Sequence, residues 1–261
     1  LHSLRRRQRQ MCIRDSSIEI REREFVAIVG RNGSGKTTLV RIMAGLIRPT
    51  EGVAAYRGRD VARFPLSELA RKVGYVFQNP DDQIFAPTVF EEVAFGPRNF
   101  GLEEGEVEER VEEALRAVGL WERRGDDPFT LTRGERQRVA VASILAARPE
   151  VLILDEPTTG LDQRHLDEIM ALLHRLNDEG HTIVIVTHDL RTVADHADRV
   201  VVMDSGRVVA DGPAREVLGD EEALRKGGVV PPPVVQLSKT YGVVALTVDE
   251  LANSLVRGGR G

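Results

Sequence analysis

FVAIVGRNGSGKTTLVRIMAGL, residues 25–46, sets an apolar run, a glycine-rich turn and an apolar-periodic helix one after another. The run 25–29 has the length and residue types of a buried strand, and KTTLVRIMAGL has helical periodicity. Glycine at 30, 33 and 35 lets the backbone point its amides inward at the N-terminus of a helix, which is the construction that cradles phosphate. Arg31, Asn32 and Ser34 fill the same loop. Lys36 is then expected to reach the β- and γ-phosphates of a nucleotide, Thr37 to ligate Mg²⁺, and Thr38 to add a donor. The stretch predicts an α/β domain with a P-loop that holds the phosphates of a nucleotide together with Mg²⁺.

The composition agrees and excludes other classes. In 261 residues, 41% apolar and 30% charged side chains suit a water-exposed globular chain with a full core. A formal net charge of -5 argues against a nucleic-acid partner. The single cysteine, Cys12, precludes an internal disulfide framework and fits a reducing compartment. The runs VLIL (151–154) and VVVM (200–203) fall far short of a membrane-spanning helix. Residues 1–15, arginine-rich and without apolar period, join abruptly to SIEIREREFVAIVG; they read as a foreign or disordered segment and are set aside.

From residue 16 onward strands and helices alternate, as in an α/β domain with helices packed on a sheet. FVAIV, GYVF (74–77), VLIL and TIVIV (182–186) read as buried strands. Between about 79 and 140 the alternation gives way to a helical subdomain, with Val107, Val111, Leu115 and Val118 on one face of a helix over 104–120. RVVVMDSGRVVADG (199–212) predicts a hairpin closing a nucleotide-binding domain over 16–217, and the proline-containing remainder, 218–261, a small C-terminal appendage.

VLILDEP (151–157) ends an apolar strand in two acids. Asp155 is placed to hold Mg²⁺ through its water shell, and Glu156 to orient or deprotonate an attacking water. Gln78 and His188 also end strands, where they could meet Mg²⁺ or the γ-phosphate. His165, His174, His181 and His196 read as surface or packing residues. Asp162 reads equally as a helix cap. LTRGERQR (131–138) is a second glycine turn at a helix start, a second place where phosphate could be held.

In motif order and spacing, residues 17 to about 215 resemble the ATP-binding cassette ATPases. GRNGSGKT resembles their Walker A motif, Gln78 the Q-loop, LTRGERQR the family signature, VLILDEP the Walker B motif, TTGLD (158–162) the D-loop, and His188 the switch histidine. The resemblance implies a RecA-like core with a helical subdomain. It also implies catalytic roles for Glu156, His188 and Gln78, and metal contacts from Thr37, Gln78 and Asp155. Two modules pack head to tail in that family, so Thr132, Arg133, Gly134 and Glu135, with Asp162, would complete the nucleotide site of a second ATPase subunit, identical or different. Two departures stand out: Arg133 occupies a glycine position of the signature, and residues 1–24 hold no aromatic to stack on adenine.

VFQNPDDQIFAPTVFEEVAFGPRN (76–99) is most similar to the energy-coupling factor importers, including cobalt and nickel members, and PPPVVQLSK resembles their tail. The implied setting is the cytoplasmic face of a membrane, with a transmembrane coupling protein and a separate membrane component that selects a vitamin or metal ion. Ile84, Phe85, Val89, Phe90, Val93 and Phe95 are expected to form the coupling surface. The alternatives are an ATPase of another cassette transporter and a soluble cassette ATPase outside transport. A P-loop kinase or GTPase leaves LTRGERQR unexplained.

Overall fold

The computed structural model describes residues 17–258. Its first strand, β1 (Phe25–Val29), enters the phosphate loop, which opens α1 (Lys36–Met43). A short hairpin, β2 (Ala55–Tyr56) and β3 (Arg59–Asp60), and α2 (Leu66–Ala70) lead to β4 (Val73–Val76). Three helices follow: α3 (Val89–Asn99), α4 (Glu104–Ala117) and α5 (Arg133–Leu145). The chain returns through β5 (Val151–Asp155), α6 (Gln163–Asp178), β6 (Thr182–Val186), α7 (Leu190–His196) and the hairpin β7 (Arg199–Asp204) and β8 (Arg207–Pro213). Four helices finish it: α8 (Ala214–Gly219), α9 (Glu221–Lys226), α10 (Pro233–Thr240) and α11 (Val248–Gly258).

The main sheet runs β4-β5-β6-β1-β7-β8, parallel except for the β7–β8 hairpin. Strands β1, β4, β5 and β6 read as near-continuous apolar runs because both faces are covered. Phe25, Ala27 and Val29 pack into the core shared with α3–α6, while Val26 and Ile28 pack on the opposite face with Leu39 and Val40 of α1. The expected face of α4 is the buried one: Val107, Val111, Leu115 and Val118 are all inaccessible. The segment from 218 onward adds to the same core, since Leu218, Leu224, Val235 and Leu246 join the cluster of β1 and β5.

The sheet order fixes where chemistry can occur. β4, β5, β6 and β1 are consecutive and parallel, so Gln78, Asp155–Glu156, His188 and the phosphate loop all follow carboxyl ends on one edge. Open α/β sheets bind ligands at that edge.

A histidine pair stands apart from it. His174 Nε2 and His196 Nδ1 lie 2.9 Å apart between α6 and α7, with the His174 ring against Phe25. Burial first, and then His174, push the His196 pKa down, against the opposing pull of Asp195 and Asp167. With its folded pKa depressed, His196 takes up its proton more readily in the unfolded chain. Stability is therefore expected to fall as pH drops below about 6.5. His196→Gln should flatten that acid limb of the thermal midpoint; an unchanged limb would assign it to other groups.

Candidate functional site

The loop after β1 owes its shape to close approach. Gly30, Gly33 and Gly35 have φ of 150°, 82° and 105°, and a Cβ on Gly30 would sit 2.2 Å from the Met203 carbonyl oxygen. The loop is braced from outside as well. Gly206 N donates to Ser34 O at 2.8 Å and Arg31 N to Gly227 O at 3.1 Å, while the Arg31 guanidinium meets Asp204 at 2.7 Å. Asn32 through Thr38 line an open groove that also takes in Gln78 and Glu156.

Lys36 is folded back onto this loop. Its Nζ donates to Gly30 O at 2.7 Å and Arg31 O at 3.2 Å. Burial pushes its pKa below the ordinary lysine value, and the Glu156 and Asp155 carboxylates pull the other way. An ammonium satisfied only by two carbonyls is placed to exchange them for phosphate oxygens.

The two acids ending β5 have separate partners. Asp155 Oδ1 accepts from Thr37 Oγ1 at 3.1 Å, and Oδ2 from the Tyr75 hydroxyl at 2.9 Å. Glu156 has φ 51°, a left-handed backbone that costs a non-glycine residue energy. A regular strand would turn it to the face opposite Asp155; here both carboxylates act on Lys36. Glu156 is buried. Its Oε2 lies 2.8 Å from His188 Nδ1 and accepts from Thr159 Oγ1 at 3.1 Å. A buried carboxylate, a histidine and an ammonium thus converge beside the loop.

The chemistry of the donor set fits a hard divalent cation, because a threonine hydroxyl and a carboxylate oxygen meet at Thr37 and Asp155. No group of three or more His, Cys, Asp or Glu able to hold a metal exists among the described residues. A cation here would complete its shell with phosphate oxygens and water, as Mg²⁺ does at nucleotides.

The second glycine turn is elsewhere. Thr132 caps α5, and Glu135 Oε2 accepts from Thr132 N at 2.8 Å and from its hydroxyl at 2.9 Å. These bonds hold Glu135 below the usual carboxylate range, with the backbone bond the largest cause. The Thr132 hydroxyl, expected to be free for phosphate, is therefore committed within its own chain. Gly134 lies under the His165 ring, where a Cβ would meet Cδ2 at 2.8 Å, and Asp162 Oδ1 fixes that ring through Nδ1 at 2.7 Å while capping α6. Arg133 lies along the 158–162 turn, its Nε 3.2 Å from where a Gly160 Cβ would be. None of residues 131–136 lines the groove.

The structure gathers Lys36, Thr37, Gln78, Asp155, Glu156 and His188 near one edge and leaves Thr132, Arg133, Gly134, Glu135 and Asp162 outside the groove. Three residues touching the site acids or their partners were not legible as such: Tyr75, Arg41 and Thr159. Alternation offered a signal for Tyr75. The register Tyr75↔Ile153 puts it on the same face as Asp155, two residues further on. The adenine-stacking aromatic has no counterpart in residues 17–24, and residues 1–15, set aside above, lie outside the described residues.

Residues 13–159 match the ABC transporter family. A putative ABC transporter ATP-binding protein of Caldanaerobacter subterraneus is 49% identical over 92% of this chain, which spans 42% of that relative's length. An energy-coupling factor transporter ATP-binding protein, EcfA, of Methanocaldococcus jannaschii is 47% identical over 85% of this chain and 80% of its own. Among solved structures, cbiO1 from Clostridium perfringens, described as part of the ABC transporter complex cbiONQ, superposes with a TM-score of 0.72 at 40% identity, covering 80% of this chain and 84% of that one. A P-loop site on this sheet order, with similarity of that depth along both sequence and fold, makes the chain a member of the ABC transporter family.

Proposed function

We propose that this chain binds ATP with Mg²⁺ and hydrolyses it as one of two paired cassettes that power a membrane importer of the energy-coupling factor type. The observation that carries the pairing is the separation just described: the phosphate loop, Asp155 and Glu156 share one edge, while Thr132 and Gly134 line no part of that groove. A second glycine turn outside the groove, with Thr132 exposed at the start of α5, suits the nucleotide of a partner module, identical or not. The EcfA relative and the cbiO1 neighbour support the importer class.

In this reading residues 16–217 form the cassette, with 79–140 as helical subdomain and 218–261 as appendage. Gly30 through Gly35 wrap the phosphates with backbone amides, Lys36 leaves the Gly30 carbonyl for the β- and γ-phosphates, and Thr38 adds a hydroxyl donor. Thr37, Asp155 and Gln78 would hold Mg²⁺, which would supply charge neutralisation to the phosphates. Glu156 takes the proton of a water attacking the γ-phosphorus, the bond to the bridging oxygen breaks, and ADP and phosphate result. His188 orients Glu156 through the 2.8 Å contact and offers its other nitrogen to the γ-phosphate.

The expected coupling surface divides in two. Ile84, Val89 and Val93 are buried and Phe90 is half-buried, so these build the helical subdomain. Phe85 and Phe95 are 60% and 49% exposed and stack edge to face with centroids 4.7 Å apart. Buried Glu92 holds the Phe85 loop by accepting from Phe85 N and Ala86 N, each at 2.9 Å. An exposed aromatic pair on a rigid support has the character of an interface anchor. No helix of the described residues is long and apolar enough to cross a membrane. The double substitution Phe85→Asp, Phe95→Asp should abolish recovery with membranes and co-purifying integral proteins, while ATP binding stays within about twofold. Undiminished membrane recovery would remove the importer interface from this surface.

A further inference from the structure

The residues around Asp155 close a ring that the assigned roles do not use. Thr37 and Arg41 are four apart on α1 and so share a face. Thr37 Oγ1 donates to Asp155 Oδ1 at 3.1 Å; Arg41 Nε donates to the Tyr75 hydroxyl at 3.3 Å; and that hydroxyl donates to Asp155 Oδ2 at 2.9 Å. The strands complete the circuit, since β4 and β5 are paired in register with Tyr75 opposite Ile153. Asp155 is 1% exposed and Tyr75 6%. With so little water available, these bonds decide how the carboxylate is turned.

We propose that Tyr75, itself held by Arg41, is a positioning residue for Asp155: it ties down Oδ2 so that Oδ1 stays on the Thr37 side, toward the Mg²⁺ of a bound nucleotide. The proposal rests on the ATP–magnesium reading above. A carboxylate anchored through one oxygen cannot rotate to spend both on Thr37 and Lys36, so its metal-facing oxygen is set before the ligand arrives. The tyrosine is suited to this. Arg41 occupies its acceptor side, leaving the O–H for Asp155. The ring is separately fixed, edge to face with Phe77 at 5.0 Å.

Tyr75→Phe tests this, because it keeps the ring packing and removes one donor. ATP binding is measured by calorimetry on the full chain, once in EDTA and once in excess Mg²⁺. The wild type should gain affinity on adding Mg²⁺. Tyr75→Phe should match it in EDTA and lose about tenfold of the magnesium-dependent gain, in line with loss of one hydrogen bond to a charged group. Arg41→Met, which leaves Tyr75 in place, should lose a smaller part of the same gain and serves if Tyr75→Phe fails to fold. A gain that is unchanged or larger in the soluble, folded variant would overturn the positioning role. A wild type whose ATP affinity ignores Mg²⁺ would instead overturn the underlying metal reading, so the two failures are distinct.

Discussion

Glu156→Gln is expected to bind ATP and all but stop turning it over, with phosphate release falling by about a hundredfold or more, the scale of a lost general base. The substitution keeps size and can still hydrogen-bond His188 and Thr159, the partners Glu156 has now; only the proton acceptor is lost. ATP that is not hydrolysed should then hold two chains together, and light scattering should report an ATP-dependent dimer where the wild type hydrolyses and separates. Gly134→Asp is unsuited to break that dimer, because any side chain there strikes His165 of the same chain before it can meet a partner's phosphate. Thr132→Asp is the cleaner second change. Aspartate can still cap the helix N-terminus, although it replaces the hydroxyl that donates to Glu135 with a like charge, so a thermal melt accompanies the measurement, while the added charge opposes phosphate. The double variant should bind nucleotide and stay monomeric. An ATP-loaded Glu156→Gln protein that remains monomeric at high concentration would sink the composite-site reading.

Lys36→Met should weaken ATP binding by about a hundredfold. Two charge-assisted hydrogen bonds to phosphate, at roughly 1.5–3 kcal/mol each, cover the 2.7 kcal/mol that a factor of one hundred requires. The fold should survive, since the loop is also held by Gly206 N on Ser34 O and by Arg31 N on Gly227 O, and methionine fills the buried stem of Lys36. Calorimetry with ATP and a thermal melt of the apo protein separate the two effects. A melt lowered by as much as the binding energy would mean that Lys36 serves the loop rather than the nucleotide.

Much of this could be read along the chain because it is local. A strand, glycines and a helix start make the phosphate loop from consecutive residues, and the apolar runs of β1, β4, β5 and β6 declare their burial on two faces. The helical face of Val107, Val111, Leu115 and Val118 follows from 3.6-residue periodicity alone. The exposed partition of the aromatic residues at 84–95 could not be read in the same way. Phe85 and Phe95 have the same composition signal as Ile84 and Val93, and only packing against α4 and α5 separates core from surface.

The sequence by itself determined the P-loop, the acids that end β5 and the alternation that makes an α/β sheet, because each is written in neighbouring side chains and backbone preferences. Tertiary structure alone decided the order β4-β5-β6-β1 that brings four strand ends to one edge, and the register that sets Tyr75 beside Asp155. It also decided the left-handed turn at Glu156, the ring of His165 over Gly134 and the path of Arg133 along Gly160. These contacts join residues far apart in the chain, and their energies exist only once long-range pairing has closed the loops between them.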